Sequence, residues 1–238
     1  MKLTTRRALE EKAAAGNLVA QRKLSTYFQS LGTNEGDKKA VYWYRKSAKR
    51  GCALSEYNLG YSCQEGIGVR RNTGAAIRLY ESAAAKGDAS AELNLGNIYA
   101  SRKGDYLTAI KLYRRAARKG NKNAMFNLGL RYFQGLGVKE NMRMSYSWYL
   151  RAAVAGEIDS QFEVAYCLHE GEGVKKDFKA AAFWYRKSAR NGNPVAHFNL
   201  HLCYSCGDGV AVDKRKVRYH LVRSAKLGYE RAIEKVGL

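Results

Sequence analysis

The sequence contains almost no proline: Pro194 is the only one in 238 residues. Ordinary loops would contain several more. Because proline disrupts a helix interior, a chain that is mostly helical is the class in which it would be avoided. The 23 glycines are then interpreted as punctuation between helices rather than as general flexibility.

Long hydrophobic runs are also absent. No stretch of 18 apolar residues occurs, so no transmembrane helix is expected. Residues 1–15 are basic but lack the apolar core of a secretory signal. The five cysteines are odd in number and irregularly spaced, which argues against a disulfide framework. We therefore expect a reducing, cytoplasmic location.

Acidic residues are scarce relative to basic ones. The chain has 42 Lys and Arg against 21 Asp and Glu, which gives a formal net charge of +21. Such an excess favours acidic partners, whether a carboxylate-rich protein surface, nucleic acid or anionic lipid. Composition alone does not choose among the three.

Two short patterns recur along the chain. In the first, a small residue is followed four places later by an apolar one and then by another small residue, as in Ala124, Leu128 and Gly129. In the second, two residues, usually small, lie eight places apart, with a Tyr or Leu midway and a Gly three places after, as in Ala181, Tyr185, Ala189 and Gly192. Spacings of four and eight place these residues on one helical face, so each repeat is predicted to be a pair of packed helices.

Turn signals separate the predicted helices. Four copies of Gly-x-Gly-Val occur inside the repeats, and an Asn or Asp follows each, three residues after the Val. These four residues are natural N-caps for the second helix: Asn72, Asn141, Asp177 and Asp213. The Gly that closes each second helix is predicted to be left-handed. Asn193 and Pro194 are expected to begin a first helix.

Together these patterns resemble the Sel-one-like repeat family, which is related to the tetratricopeptide repeat. The resemblance covers about residues 5–238 and implies an all-α fold, a right-handed α/α superhelical solenoid of six helix pairs with a half-repeat helix at each end. We predict a single domain, 1–238, with caps at 1–16 and 229–238 and repeats at about 17–51, 52–87, 88–120, 121–156, 157–192 and 193–228. Three departures stand out: His201 replaces the usual Gly, Leu31 to Asp37 form an atypical loop, and the third loop shortens to Arg102–Asp105.

No catalytic signature is present. The Gly-x-Gly-Val loops lack the preceding strand and third Gly of a dinucleotide site, so they are interpreted as structural turns. Cys203 and Cys206 form a C-x-x-C, but a zinc site would need two more ligands, for which only His169 and His201 are near in register. We expect no catalytic residue, metal or cofactor. An enzymatic role is the least favoured alternative.

A ladder of Asn recurs three residues after the first small residue of the repeat. In related solenoids the first helices line the concave surface, where Asn can hold the backbone of a peptide. The predicted groove residues are Asn58, Asn94, Asn127, Arg131 and Asn199. Glu163 interrupts the ladder. The alternative is that each Asn bonds the backbone of the adjacent repeat and sets the superhelical pitch.

Basic residues gather at the ends of the second helices and predict a basic convex ridge. Its residues are Arg45, Lys46, Lys49, Arg114, Arg115, Arg118, Arg186, Lys187, Arg190 and Arg223. Cations at a helix C-terminus are also explained by the helix dipole alone. The function predicted first is a scaffold or adaptor that binds a peptide or partner protein, acidic in character, in the groove. Binding of nucleic acid or anionic membrane by the ridge is the alternative, and the oligomeric state is left open.

Overall fold

The computed structural model describes residues 3–237, and within that range it contains fourteen α-helices and no β-strand. The predicted all-α class is therefore confirmed. The helices are α1 (Leu3–Ala14), α2 (Leu18–Gln29), α3 (Asn34–Ala48), α4 (Ala53–Glu65), α5 (Thr73–Ala85), α6 (Ala89–Lys103), α7 (Tyr106–Arg118), α8 (Lys122–Gln134), α9 (Met142–Val154), α10 (Ile158–Glu170), α11 (Phe178–Arg190), α12 (Pro194–Cys206), α13 (Lys214–Lys226) and α14 (Glu230–Val236).

The helices form two compact units, and the boundary between them in the sequence lies between Gly104 and Asp105. The first unit contains α1–α6 and the second contains α7–α14. In each unit every helix packs against the next one in sequence, which is the arrangement of stacked helix pairs. The single domain over 1–238 stays a prediction. Residues 1, 2 and 238 of the predicted caps lie outside the described residues.

The predicted helix boundaries are largely those found. Asn72, Asn141, Asp177 and Asp213 each accept a hydrogen bond from a backbone N–H in the first turn of the following helix. Asn193 caps α12, and Pro194 is its first residue. The closing glycines adopt positive φ, for example +88° at Gly192. These signals are local, so the sequence alone is enough to place them.

Two loops are shorter than predicted, because in each of them a neighbouring helix extends into the predicted loop. Thr33 accepts a hydrogen bond from Gly36 N at 3.1 Å and begins α3 at Asn34. The predicted loop Leu31 to Asp37 is therefore wrong, since its second half is helical. Similarly, Asp105 accepts from Thr108 N at 3.0 Å, and α6 extends through Lys103. The third loop consists of Gly104 and Asp105 alone.

The helix pairs α4–α5 and α8–α9 each close around a buried tyrosine of the second helix. Tyr80 and Tyr149 are 0% and 2% exposed. Each ring lies against a glycine of the first helix: a Cβ on Gly60 would lie 2.9 Å from Tyr80 Cε1, and one on Gly129 would lie 2.6 Å from Tyr149 Cε1. The Ser145 hydroxyl also donates to Gly129 O at 2.9 Å. Glycine is therefore required here by close approach, not by its backbone angles.

The last repeat departs from this arrangement at two matching positions. His201 occupies the place of the glycine, and Leu221 occupies the place of the tyrosine. The smaller Leu221 is consistent with space for the imidazole, which is buried and has its Nδ1 3.1 Å from Val217 O. The unusual His201 is thus accompanied by a second change on the facing helix.

We expect Gly129→Ala to destabilise the chain by about 1–3 kcal/mol, because the added methyl group would overlap the Tyr149 ring. Gly74→Ala is the matched control. It also lies in a helix, but its Cβ would meet nothing closer than 3.5 Å, so it should be neutral or stabilising by about 0.5–1 kcal/mol. Urea unfolding measures both. Equal stability of the two variants would contradict the packing argument.

Candidate functional site

The solvent-facing side of the first helices is called here the first-helix face; it belongs to α4 and α6 in the first unit and to α8, α10 and α12 in the second. The four predicted asparagines lie on it, and all are half-buried: Asn58, Asn94, Asn127 and Asn199. The structure therefore places Asn58 and Asn94 on one unit and Asn127, Arg131 and Asn199 on the other.

Two of these amides bind the buried tyrosine of the preceding repeat. Asn94 Nδ2 donates to the Tyr80 hydroxyl at 3.2 Å. Burial raises the pKa of Tyr185, and a hydrogen bond with Asn199 partly offsets that rise. Asn94 and Asn199 thus join neighbouring repeats, which is the kind of role that the structural alternative proposed. The bond goes to a side-chain hydroxyl and not to the backbone, so that part of the expectation is wrong for these two residues.

The bond to tyrosine uses only one of the hydrogen-bonding positions of the asparagine amide. An asparagine side chain has two N–H donors and one carbonyl acceptor with two lone pairs. One contact to a phenolic oxygen fixes the orientation of the group, and the half-exposed remainder faces solvent. The same side chain can therefore stabilise the stack and present a hydrogen-bonding group in a defined position.

Arg131 provides a positive charge on the first-helix face of the second unit. Its guanidinium carbon lies 5.5 Å from the centre of the Tyr106 ring, within cation–π distance. Burial raises the pKa of Tyr113 to about 12, and the charge of Arg131 opposes that rise. Among the described residues no acceptor bonds Arg131 Nε, which is buried. Buried donors usually have partners, and Arg131 Nε is an exception among the described residues.

Glu163 takes the place of Asn in the fifth repeat and has unusual ionisation. Burial raises its pKa to about 7, and the nearby carboxylates of Asp159, Glu172 and Glu157 add to the effect. Within the described part of the chain, no Lys or Arg forms an ion pair with it. The repeat register identified Glu163 as an exception, but its altered ionisation depends on burial that only the structure shows.

The raised pKa gives Glu163 a defined effect on stability. The carboxyl of Glu163 holds its proton more tightly in the folded chain than in the unfolded chain, where it has the ordinary pKa of 4.5. The stabilising contribution is therefore complete below pH 4.5 and is lost as the pH rises through about 7. We expect Glu163→Gln to be more stable than wild type at pH 8 and to lose that advantage at pH 4.5, as measured by urea unfolding. A difference that does not change with pH would contradict the assignment.

The surroundings of the cysteines bear on the C-x-x-C pair, Cys203 and Cys206. All five are free thiols. Cys203 is 1% exposed, and burial raises its pKa to about 11, with the Asp208 carboxylate adding to the rise, so it is a thiol rather than a nucleophilic thiolate. Cys206 is exposed at the last turn of α12. Among the described residues, no group of three or more His, Cys, Asp or Glu side chains is arranged to hold a metal ion.

The structure brings together histidines that look scattered in the sequence. His197 Nδ1 lies 2.9 Å from His220 Nδ1, which requires one ring to donate and the other to accept. The His220 ring also stacks on Tyr204 at 5.6 Å between ring centres. Burial lowers the pKa of His220 to about 4, with further lowering from His197 and Lys216. The pair is therefore a neutral packing contact of the sixth repeat near pH 7.

The predicted ridge residues lie on second helices and are mostly exposed. In the first unit Arg45 and Lys46 belong to α3 and Lys49 is the C-cap of that helix, and in the second unit the ridge residues belong to α7, α11 and α13. Some contact neighbouring aromatic groups: Arg114 Nη2 donates to the Tyr132 hydroxyl at 2.8 Å, and Lys187 Nζ lies 4.8 Å from the Trp184 ring centre. No carboxylate among the described residues pairs with Arg186 or Arg190.

Stacked helix pairs with a repeated small-residue seam define the class of helical-repeat proteins, to which this fold belongs. The Sel1 repeat family model matches the chain six times, at residues 18–52, 53–88, 89–121, 122–156, 158–193 and 194–229. The chain therefore belongs to the Sel1 repeat family.

Solved structures support the same assignment. A protective antigen of uropathogenic Escherichia coli, c5321, which displays an SLR fold, is 32% identical with a TM-score of 0.88, over 98% of this chain and 50% of that one. A Sel1 repeat protein from Oxalobacter formigenes is 29% identical with a TM-score of 0.82, over 90% and 89% of the two chains.

Curated relatives match over shorter segments. The chitin synthase regulator SKT5 of Malassezia restricta is 37% identical over 29% of this chain and 5% of its own length. The ERAD-associated E3 ubiquitin-protein ligase component HRD3B of Arabidopsis thaliana is 36% identical over 40% of this chain and 15% of its own length. The matches therefore span less than a fifth of these relatives. None of the helices between residues 3 and 237 combines the length and apolar character that crossing a lipid bilayer requires.

Proposed function

We propose that this chain is a non-catalytic scaffold or adaptor whose first-helix faces bind an extended peptide or a partner protein. The observation that carries the proposal is the row of half-buried, partly anchored polar groups on that face, of which Asn94 on Tyr80 is the clearest. An extended backbone offers N–H and C=O groups at intervals, and amides are able to bond both. Proteins of the Sel1 repeat family are commonly interaction scaffolds, which supports the same role.

Two relatives have names that describe association with other proteins. HRD3B is a component of a ligase assembly, and the rat DAP3-binding cell death enhancer 1 is 31% identical over 38% of this chain and 18% of its own length. We infer a similar general role for this chain, without the specific partners of either relative. The five free thiols are compatible with the reducing, cytoplasmic location predicted above.

The second unit gives the sharpest test of groove binding. A partner that copurifies stoichiometrically is identified by mass spectrometry, and its affinity is measured for wild type and for Asn127→Ser/Arg131→Gln. We expect the double variant to bind at least tenfold more weakly, which corresponds to about 1.4 kcal/mol. Circular dichroism and urea unfolding check that it is folded.

Lys111→Gln is the matched control, since it removes one positive charge from an exposed position on α7 that belongs neither to the predicted groove nor to the predicted ridge. Its affinity should remain within about twofold of wild type, because rim charges far from a site contribute little. Unchanged binding by the Asn127/Arg131 variant would remove this face from the function.

A second candidate is binding of nucleic acid or anionic membrane by the basic second helices. It is favoured by exposed aromatic rings among the cations, namely Phe183 on α11 and Tyr219 on α13, which are 54% and 56% exposed. Such binding would weaken steeply with salt, because each neutralised phosphate releases counterions. A mobility-shift assay with RNA and a sedimentation assay with anionic vesicles, each at two salt concentrations, distinguish it from groove binding.

A further inference from the structure

The second unit contains a cavity of about 260 Å³ between the exposed sides of α10 and α12 and the inner side of α11. Its walls include the rings of Tyr166, His169 and Tyr185 and the amide of Asn199. Glu170 and Asp208 supply carboxylates at the opening, with side chains 42% and 38% exposed. Because Asn199 belongs to the amide ladder, the cavity opens on the first-helix face.

The local charge of this cavity is opposite to that of the whole chain. Among the described residues no lysine or arginine lines it. His169 lies between the two carboxylates, with Nδ1 2.8 Å from Glu170 Oε1 and Nε2 3.7 Å from Asp208 Oδ2. The imidazole contributes at most one positive charge against two negative ones, so the opening stays negative in either protonation state of the ring.

Further carboxylates on the same face also make the surroundings of the cavity electronegative. Burial raises the pKa of Tyr166, and the carboxylates of Glu172, Glu170 and Glu163 raise it further. The environment that a ligand would enter is therefore both aromatic and electronegative. A cation gains from aromatic faces and from charge-assisted hydrogen bonds to carboxylates, whereas an anion is repelled by both.

Part of this cavity recurs along the chain, since Tyr185 and Asn199 belong to the tyrosine and asparagine series described above. The histidine does not recur, because the register of the repeat places Phe133 and Ser205 at the position of His169. An acidic residue at the position of Asp208 is found again in the fifth repeat, where it is Glu172. Because the other repeats lack the histidine, its ring is not required for the helix pairing that all the repeats share, which favours a role in binding.

Resting on the proposed function of the first-helix face, we propose that this cavity binds a cationic side chain, arginine or lysine, of the segment that the face holds. The carboxylates of Glu170 and Asp208 bind the charged group, the exposed ring of Tyr166 contacts the aliphatic stem, and Asn199 bonds the adjacent backbone. A partner chosen by this cavity is basic at this point, although the net charge of the chain favours acidic partners elsewhere.

The test uses blocked amino acids as probes, so it needs no knowledge of the partner. N-acetyl-arginine methylamide and the corresponding lysine and glutamate compounds are titrated into the isotope-labelled full chain and followed by NMR. We expect saturable shifts at Tyr166, His169 and Asn199 with arginine or lysine and none with glutamate. Absence of saturable shifts with both cations, or an equal response to glutamate, would overturn the proposal.

Matched variants separate a built site from general attraction. Glu170→Gln/Asp208→Asn should weaken the cationic probe about tenfold, because two charge-assisted contacts are lost. Glu140→Gln/Glu234→Gln removes two exposed carboxylates elsewhere in the same unit and should leave the affinity unchanged. Equal weakening by both double variants would contradict the proposal. Failure here differs from failure of the proposed function, since the partner assay changes only Asn127 and Arg131, which do not line the cavity.

Discussion

The buried tyrosine of the second helix is the contact on which the stack depends. Within a repeat its ring lies against a glycine or another small residue of the first helix, as Tyr149 does on Gly129. The Tyr80 hydroxyl also accepts a hydrogen bond from Asn94 of the next repeat, whereas the Tyr44 hydroxyl donates to Gln29 of its own repeat. A buried phenol needs both an apolar contact for the ring and a partner for the hydroxyl. Tyr80 thus supplies packing within a pair and a hydrogen bond between pairs.

This arrangement explains why the asparagines support two interpretations that are not exclusive. A bond to tyrosine is a structural role, since without it a buried hydroxyl would lack a partner at a cost of about 1–3 kcal/mol. The same bond holds the amide in one orientation on an exposed face. Fixing a flexible side chain upon binding costs about 0.5–1.5 kcal/mol, so an amide that is already fixed reduces the cost of holding a ligand.

The sequence predicts local features well and contacts between repeats poorly. Caps such as Asn141 and Asp177 were predicted correctly because a cap bonds residues that lie next to it in sequence. The loop at residues 31–37 was predicted wrongly because Thr33 caps α3 early, and the third loop because α6 continues to its C-cap at Gly104. The partner of Asn94 was predicted as backbone and proved to be Tyr80, because register gives the face of a residue but not the atom it meets.

The cavity and the altered carboxyl lay beyond sequence reasoning for the same reason. His169 and Asp208 belong to different repeats, and only the packing of α10 on its neighbours brings them within 3.7 Å. Glu163 could be identified as an exception to the ladder, but its raised pKa comes first from burial, which a charge count does not contain. A net charge of +21 likewise gives no sign of an acidic region on the first-helix face.

The positions of the charged residues therefore indicate more about the partners than the net charge does. In the second unit, cations concentrate on α7, α11 and α13, whereas Glu163, Glu170 and Glu172 belong to α10 and the loop after it. At long range, the basic second helices attract acidic surfaces and so speed the encounter with them. At short range, the groups that a bound residue touches decide which residue is preferred. Contacts that exclude water discriminate between charges more strongly than contacts that are screened by solvent and salt. A partner that satisfies both has an acidic overall character and a basic residue where it meets α10 and α12.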